Sequence, residues 1–241
     1  EPVIGSPGGA ITPPPEYYRI IRDICDEFDI LFVVDEVMTG FGRTGANFGI
    51  DHWSVVPDMI VFAKGASAGY YPLGGIIISD AIYKVLKAGT KGIFAPGHTY
   101  SGTPMAGAVG VAVHEYIQRH GLMENVKQLQ GYLWEQLQTL SKYRIVGDIR
   151  GRGFMLGMEF VRDRQTKEPF PCQEPGYAAG VVSKKAMHNG LVLYPGSGSV
   201  DGHHGDHVLI APPFIISKEE IDELIARFDR TLQEAESELP G

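Results

Sequence analysis

Apolar runs and segments of helical spacing alternate along the first third of the chain. Residues 16–28 place apolar side chains at helical spacing after prolines, which the first turn of a helix tolerates. Residues 30–34 and 59–63 are unbroken apolar runs, as in strands buried on both faces of a parallel sheet. Residues 75–78 follow too closely for a helical crossover, so this strand is expected to pair antiparallel. The pattern predicts an α/β fold with helices on a mostly parallel sheet.

The rest of the chain predicts further helices and a second group of strands. The helix candidates are residues 81–87, 105–119, 122–141, 176–189 and 218–236, with a loop expected at residues 88–98. The strand candidates are residues 143–146, 153–160 and 208–210. The later elements predict a small α+β domain. We therefore expect two domains, residues 1–128 and residues 129–241.

Composition and charge restrict the class of protein. With 241 residues and 44% hydrophobic content, the chain can bury one large core or two modest ones. A formal net charge of -8 and the lack of like-charge blocks argue against partners such as nucleic acid or anionic membranes. No apolar run reaches transmembrane length and the start shows no signal-peptide pattern, so the chain is expected to be soluble and untargeted as given.

Neither the cysteines nor the histidines form a pattern typical of metal ligands. Cys25 and Cys172 are too few for a disulfide framework, so we expect two reduced thiols in a cytoplasmic protein. Residues 201–207 (DGHHGDH) contain possible ligands, but closely spaced ligands in one glycine-containing loop rarely close a site alone. We expect no metal there, and instead a loop at the mouth of an active site.

Two charged residues stand at the ends of the first two predicted strands. Asp35 follows residues 30–34, and Lys64 follows residues 59–63. Ligands of open α/β sheets bind outside the carboxyl ends of strands, so parallel strands would bring both side chains to one crevice. Pyridoxal 5'-phosphate needs a lysine for a Schiff base and an acid that keeps the pyridine nitrogen protonated. The alternatives are a surface lysine and a turn or helix-capping carboxylate.

The glycine-rich residues 40–45 (GFGRTG) permit a second hypothesis. They lack the lysine of a P-loop and no helix-like segment follows them, so we interpret them as a tight structural turn. Arg43 either holds this turn or lines the entrance of the site. A non-catalytic nucleotide-binding α/β module is the alternative that this loop leaves open.

An ordered series of short motifs spans most of the chain. The series includes Glu1-Pro2-Val3, Asp35-Glu36-Val37, Thr39 to Gly45, Ala63-Lys64-Gly65 and His98-Thr99-Tyr100-Ser101-Gly102. It resembles the class III pyridoxal-phosphate aminotransferases of fold type I, and most closely the subgroup that moves amino groups from amines or ω-amino acids to pyruvate. Residues 35–41 also resemble an intramolecular aminomutase, although Gly42-Arg43-Thr44-Gly45 favours the transaminase.

The resemblance implies a role for each motif residue. Lys64 would hold pyridoxal 5'-phosphate as a Schiff base and then move a proton, and Asp35 would bind the pyridinium nitrogen. Val37 would pack against one face of the ring. Thr99 would bind the cofactor phosphate of a neighbouring subunit in a homodimer with shared sites. The alternative for Thr99 is a loop hydroxyl bonded to its own backbone.

The resemblance also implies that residues 1–128 are the later part of the cofactor-binding large domain. In relatives the Glu-Pro element lies near the middle of the polypeptide, so the chain is expected to be a fragment. The phosphate-cradling loop and the aromatic residue that stacks on the ring are expected upstream of it.

Two positions bear on substrate choice. Relatives that transaminate ornithine or 4-aminobutyrate have an arginine where this chain has Leu209, and a paired glutamate where it has Ser6. Both members of this pair are missing, so the resemblance favours pyruvate over 2-oxoglutarate as acceptor. Arg150 or Arg152 remains as a possible carboxylate partner.

Overall fold

The computed structural model describes residues 1–89, 97–171 and 176–240, which pack as two compact units. Unit one contains Glu1–Pro2 and Pro13–Gly121, and unit two contains Val3–Thr12 and Leu122–Gly241. The packing therefore divides shortly before residue 129. The expected domain boundary stays a prediction, because units of packing need not fold independently. Cys172 and most of the loop expected at residues 88–98 lie outside the described residues.

Unit one is an α/β layer. Its helices are α1 (Tyr17–Glu27), α2 (Asp80–Gly89) and α3 (Pro104–Arg119), and its strands are β1 (Val33–Asp35), β2 (Met59–Phe62) and β3 (Gly75–Ile78). The strand order is β1-β2-β3, with β1 parallel to β2 and β3 antiparallel to β2. The expected antiparallel pairing of the third strand is therefore confirmed.

The first strand begins later than its apolar run. Residues 30–34 were expected in the strand, but the backbone N–H of Ile30 donates to Cys25 O at 2.8 Å, and Asp29 has a positive φ of 53°. These residues still close the end of α1, so pairing starts at Val33 and extends through Asp35.

A small core and a polar clamp join α1 to the sheet. The buried side chains are Tyr18, Cys25, Phe32, Val34, Ile50 and Val55. Asp58 Oδ2 accepts hydrogen bonds from the Phe32 N–H at 2.7 Å and from the Arg22 guanidinium at 2.8 Å. The bond from Arg22 is the main reason that the pKa of Asp58 lies below its usual value.

Unit two is an antiparallel sheet with helices against it. Its helices are α4 (Leu122–Gln138), α5 (Tyr177–His188) and α6 (Lys218–Glu238), and its strands are β4 (Val146–Arg152), β5 (Met155–Phe160), β6 (Tyr194–Gly196) and β7 (Asp206–Ile210). The strand order is β4-β5-β7-β6. Large buried side chains such as Leu133, Phe160 and Phe228 form its core. These elements match the expected α+β pattern.

Two strands of unit two differ from expectation. Residues 143–146 were expected as a strand, but the ladder begins only at Val146, because the Tyr143 hydroxyl donates to Asp229 and the Arg144 N–H donates to Glu236 of α6. Strand β6 was not predicted, since it contains Pro195 and glycine. It lies at the edge of the sheet, where proline is tolerated. No helix in the described residues is long and apolar enough to cross a membrane.

Candidate active site

Asp35 and Lys64 lie at the same edge of the unit one sheet. Asp35 is the last residue of β1 and pairs in register with Val61, while Lys64 lies just beyond the end of β2. The N–H of Glu36 donates to Val61 O at 2.8 Å and continues this parallel pairing. Because parallel strands end at one edge, the carboxylate and the amine are both carried there, as the sequence predicted. Their chemical roles stay predictions.

The Asp35 carboxylate keeps hydrogen-bonding capacity. Its Oδ1 accepts from the Val37 N–H at 2.9 Å, which orients the group, and the side chain is exposed. Within the described residues no hydrogen bond engages Oδ2. One oxygen is therefore fixed by the backbone and the other is available to a cationic N–H donor.

Lys64 combines an unusual backbone conformation with an unneutralised amine. Its φ of 37° lies in the left-handed region, which a lysine rarely adopts. The exposed Nζ donates to the Met38 thioether at 2.6 Å, a weak acceptor. In the part of the chain that the structure describes, Lys64 forms no salt bridge. The amine therefore contacts Met38, in the turn that follows Asp35, and is not neutralised by a carboxylate of the described residues.

Glu36 organises the loop between these strands, a role that the sequence pattern does not indicate. Its fully buried carboxylate accepts from the Thr39 hydroxyl and from the N–H groups of Gly49 (2.7 Å) and Ile50 (2.8 Å). Burial raises the pKa of Glu36, and these hydrogen bonds act in the opposite direction. Thr39 lies only three positions after Glu36, but nothing local in the sequence marks Gly49 and Ile50 as its other partners.

The glycine-rich segment is a closed turn, as predicted. The Phe41 N–H donates to Asn47 O at 2.7 Å, and the Gly45 N–H donates to Gly42 O at 3.0 Å. Burial lowers the pKa of the Arg43 guanidinium to about 10. Arg43 is half-buried in a turn that is bonded to itself, which favours the interpretation that this arginine holds the turn.

The two other predicted site residues differ in their surroundings. Val37 is half-buried directly after Asp35 and Glu36. Thr99 is exposed in a turn before α3, where the Ser101 N–H donates to His98 O at 2.9 Å. No hydrogen bond in the described residues joins Thr99 to Asp35 or Lys64. The structure thus places Asp35, Val37 and Lys64 at one edge of the unit one sheet and leaves Thr99 on a separate loop.

Among the described residues, all hydrogen-bond partners of the Arg150 guanidinium lie within unit two. Its Nε and one terminal nitrogen donate to Gly9 O (2.9 Å) and Gly8 O (3.0 Å), and its other terminal nitrogen pairs with Asp148 and Glu159. An added Cβ at Gly157 would lie 2.1 Å from Gly9 O, so β5 also touches this segment directly. Arg150 therefore anchors the segment and has no guanidinium nitrogen left over for a substrate.

Ser6 and Leu209 both belong to unit two, Ser6 in the segment Val3–Thr12 and Leu209 in β7. Leu209 is 5% exposed and pairs in register with Gly157 and Tyr194. Ser6 O accepts from His207 Nε2 at 2.7 Å, so that nitrogen carries the hydrogen. Neither residue can replace the arginine and glutamate pair that was compared with these two positions in the sequence.

The histidine-rich tract forms local contacts. Asp201 accepts from the backbone N–H groups of His203 and His204 and from the His204 ring, which hold the pKa of Asp201 far below its usual range. His207 instead belongs to β7. Within residues 1–89, 97–171 and 176–240, no three acidic, histidine or cysteine side chains are grouped as metal ligands.

Comparison with known proteins identifies relatives over the whole chain. The family model described as aminotransferase class-III matches residues 1–232. The uncharacterized aminotransferase YodT of Bacillus subtilis (strain 168) is 41% identical over 240 residues, which are 99% of this chain and 53% of YodT. The putrescine–pyruvate aminotransferase of Pseudomonas aeruginosa is 38% identical over 226 residues, covering 93% of this chain and 46% of that protein. The chain spans about half the length of the curated relatives it matches.

Solved structures show the same similarity to aminotransferases. A transaminase from the marine bacterium Virgibacillus superimposes with a TM-score of 0.91 at 37% identity, covering 98% of this chain and 52% of that one. The PMP-bound form of an aminotransferase from Vibrio fluvialis superimposes with a TM-score of 0.90 at 30% identity, covering 100% of this chain and 51% of that one. Sequence and structure therefore point to the same family.

Proposed function

The chain belongs to the class III aminotransferase family, and from this premise we propose that the full-length protein transfers an amino group from an amine or ω-amino acid to a 2-oxo acid such as pyruvate. Class III aminotransferases use pyridoxal 5'-phosphate. The observation that carries the proposal is the shared edge of β1 and β2, which carries both the Asp35 carboxylate and the Lys64 amine.

The residues at this edge fit the cofactor chemically. The Lys64 amine forms no salt bridge in the described part of the chain, so on losing its proton it is available to a carbonyl carbon. Asp35 has a carboxylate oxygen for a pyridinium N–H, and half-buried Val37 offers an apolar surface to a flat ring. When bound, the cofactor supplies an electron-accepting ring that stabilises negative charge on the substrate carbon.

Each residue would then have a defined role. Lys64 Nζ would hold the cofactor covalently, and once a substrate amine had released it, the free lysine amine would take up the proton that leaves the substrate carbon. Asp35 Oδ2 would keep the ring nitrogen protonated, and the bond from the Val37 N–H to Oδ1 fixes the orientation of the carboxylate. Val37 would pack against one face of the ring.

Thr99 is proposed to bind the cofactor phosphate of a neighbouring subunit. Its exposed hydroxyl, next to the backbone N–H groups of a turn, suits a phosphate dianion. This role requires a homodimer with shared sites, which we include in the proposal.

We also propose a cytoplasmic protein with a cofactor-binding domain ending at residue 128 and a C-terminal small domain at residues 129–241.

The proposed acceptor rests on unit two. Leu209 and Ser6 offer no charged group, and Arg150 is engaged by Asp148 and Glu159. A charge-assisted hydrogen bond to a carboxylate contributes about 1.5 to 3 kcal/mol. The lack of a charged group at Leu209 and Ser6 disfavours the second carboxylate of 2-oxoglutarate. The similarity to the putrescine–pyruvate aminotransferase of Pseudomonas aeruginosa supports the same choice.

Steady-state kinetics of the full-length protein test the proposal. With putrescine as donor, kcat/KM is measured for pyruvate and for 2-oxoglutarate. We expect pyruvate to be preferred by about tenfold or more. A clear preference for 2-oxoglutarate would contradict the acceptor assignment. A product in which the amino group has moved within one molecule would indicate an aminomutase, and nucleotide binding without cofactor would indicate a non-catalytic module.

A further inference from the structure

We propose that Glu36 is a positioning residue whose buried carboxylate fixes Val37 beside the Asp35 carboxylate and Met38 beside the Lys64 amine. The inference rests on the proposed function, because it assumes that Lys64 holds the cofactor. Glu36 itself touches neither the amine nor any reacting atom. It acts through the two residues that follow it.

The carboxylate connects both ends of one loop. Oε2 accepts from the Thr39 hydroxyl and from the Gly49 N–H, and Oε1 accepts from the Ile50 N–H. Thr39 is fully buried as well. A Cβ added at Gly49 would lie 2.8 Å from the Cβ of Thr39. The Gly49 amide therefore reaches the carboxylate only because the residue has no side chain.

The backbone of Glu36 adds two further connections. Its N–H donates to Val61 O of β2 at 2.8 Å, and its carbonyl accepts from the Gly40 N–H at 2.9 Å. Glu36 is thus bonded to the strand that leads to Lys64 and to the residue that follows Thr39. The backbone between these points is a closed turn.

Val37 and Met38 are the residues enclosed by that turn. The Val37 N–H donates to Asp35 Oδ1 at 2.9 Å, and the Met38 thioether accepts from Lys64 Nζ at 2.6 Å. Asp35 and Lys64, the two proposed cofactor-binding groups, therefore each contact a residue of the turn. A turn that loosens would release both contacts together.

Only a carboxylate satisfies the three donors. Glutamine has the same size, but one of its two terminal atoms is an NH₂ group that donates. Placed toward Ile50, that group faces a buried N–H donor, and placed toward Thr39 and Gly49 it faces the Gly49 N–H. Either orientation leaves a buried donor without an acceptor, which is more costly than losing an exposed hydrogen bond.

The test compares the full-length protein with the variants Glu36→Gln, Thr39→Val and Thr39→Ser. Thr39→Ser keeps the hydroxyl, whereas Thr39→Val removes it at nearly constant size. Glu27→Gln, at an exposed carboxylate at the end of α1, is the matched control. Pyridoxal 5'-phosphate affinity is measured by equilibrium dialysis and expressed per folded molecule, with folding followed by circular dichroism. The visible absorbance of bound cofactor reports the surroundings of Lys64.

We expect Glu36→Gln to weaken cofactor affinity by about tenfold or more and to shift the visible absorbance maximum. Thr39→Val should do the same more weakly, while Thr39→Ser and Glu27→Gln should resemble the wild type. A purely structural role would lower the folded fraction and leave folded molecules with normal affinity and absorbance. That outcome would overturn the proposal.

Two further outcomes have defined meanings. If Glu36→Gln does not fold, the Thr39 pair decides: equal affinity and absorbance in Thr39→Val and Thr39→Ser would overturn the positioning role. If the wild-type protein binds no pyridoxal 5'-phosphate, the proposed function fails and this inference fails with it. Normal binding by the wild type together with unaffected variants overturns the inference alone.

Discussion

Asp35 of β1 is the register partner of Val61 of β2, and Lys64 follows on the same segment just past the end of β2. Because the two strands are parallel, a carboxylate and an amine that are distant in sequence reach one edge of the sheet. Their closest hydrogen-bond partners, Val37 and Met38, are adjacent in the turn after β1. The site therefore depends on two strand ends and one turn.

Asp35→Asn separates the charge of this residue from its hydrogen bonding. An amide oxygen still accepts from the Val37 N–H, but a neutral group no longer stabilises a protonated ring. We expect cofactor affinity of the full-length protein to fall by about tenfold to a hundredfold, with a slower proton-transfer step in single-turnover kinetics. Near-normal affinity and rate would remove Asp35 from this role. Asp23→Asn, at an exposed residue of α1, is the control.

Thr99→Val should weaken cofactor binding, whereas Thr99→Ser should preserve it, because only the hydroxyl is proposed to contact phosphate. The expected loss is about fivefold to tenfold in the dissociation constant. If the phosphate belongs to a neighbouring subunit, mixing Thr99→Val with Lys64→Ala protein should form some dimers with one intact site. Equal affinity in Thr99→Val and Thr99→Ser would favour a loop hydroxyl without a ligand.

The clamp between Asp58 and Arg22 predicts a pH dependence of stability. The folded-state pKa of Asp58 is lowered, so its stabilising contribution is fully present above the unfolded value of about 3.9 and is lost as pH falls through the folded value. Asp58→Asn should lower the free energy of unfolding by about 1 to 3 kcal/mol at pH 7, and the difference should shrink in acid. Denaturant unfolding at pH 7 and at pH 3 measures this. A difference that grows in acid would have the wrong sign.

The arginines of β4 offer a matched pair. Arg150→Ala should destabilise the protein by about 2 to 3 kcal/mol, because it leaves Glu159 and the carbonyls of Gly8 and Gly9 without their donor. The ratio of kcat/KM for pyruvate to that for 2-oxoglutarate should not change. Arg152→Ala is measured in parallel, since both arginines are possible carboxylate partners. A changed ratio in Arg150→Ala alone would mean that Arg150 binds substrate after all.

The strand ends of the candidate site were predictable, because position in a parallel sheet depends on short-range patterns. Apolar runs located β1 and β2, and the short interval before Gly75–Ile78 gave the antiparallel pairing of β3. The apolar run placed Asp35 just after the strand, whereas Asp35 is its last paired residue. The strand is shifted because the C-terminal turn of α1 extends to Ile30.

The missed features depend on contacts between distant residues. Glu36 is organised by Gly49 and Ile50, and no local pattern shows that their N–H groups converge on its carboxylate. The engagement of Arg150 likewise depends on the carbonyls of Gly8 and Gly9, far away in sequence. Strand β6 was hidden by its proline, which only an edge position explains.

The central claim is that Lys64 carries the cofactor, and chemical trapping tests it most directly. The full-length protein is incubated with pyridoxal 5'-phosphate, reduced with borohydride and digested, and the modified peptide is identified by mass spectrometry, with Lys64→Ala and Lys87→Ala treated in parallel. We predict modification at Lys64 in the wild type and in Lys87→Ala, and none in a folded Lys64→Ala. Modification at another lysine, or transamination at the wild-type rate by Lys64→Ala, would contradict the account.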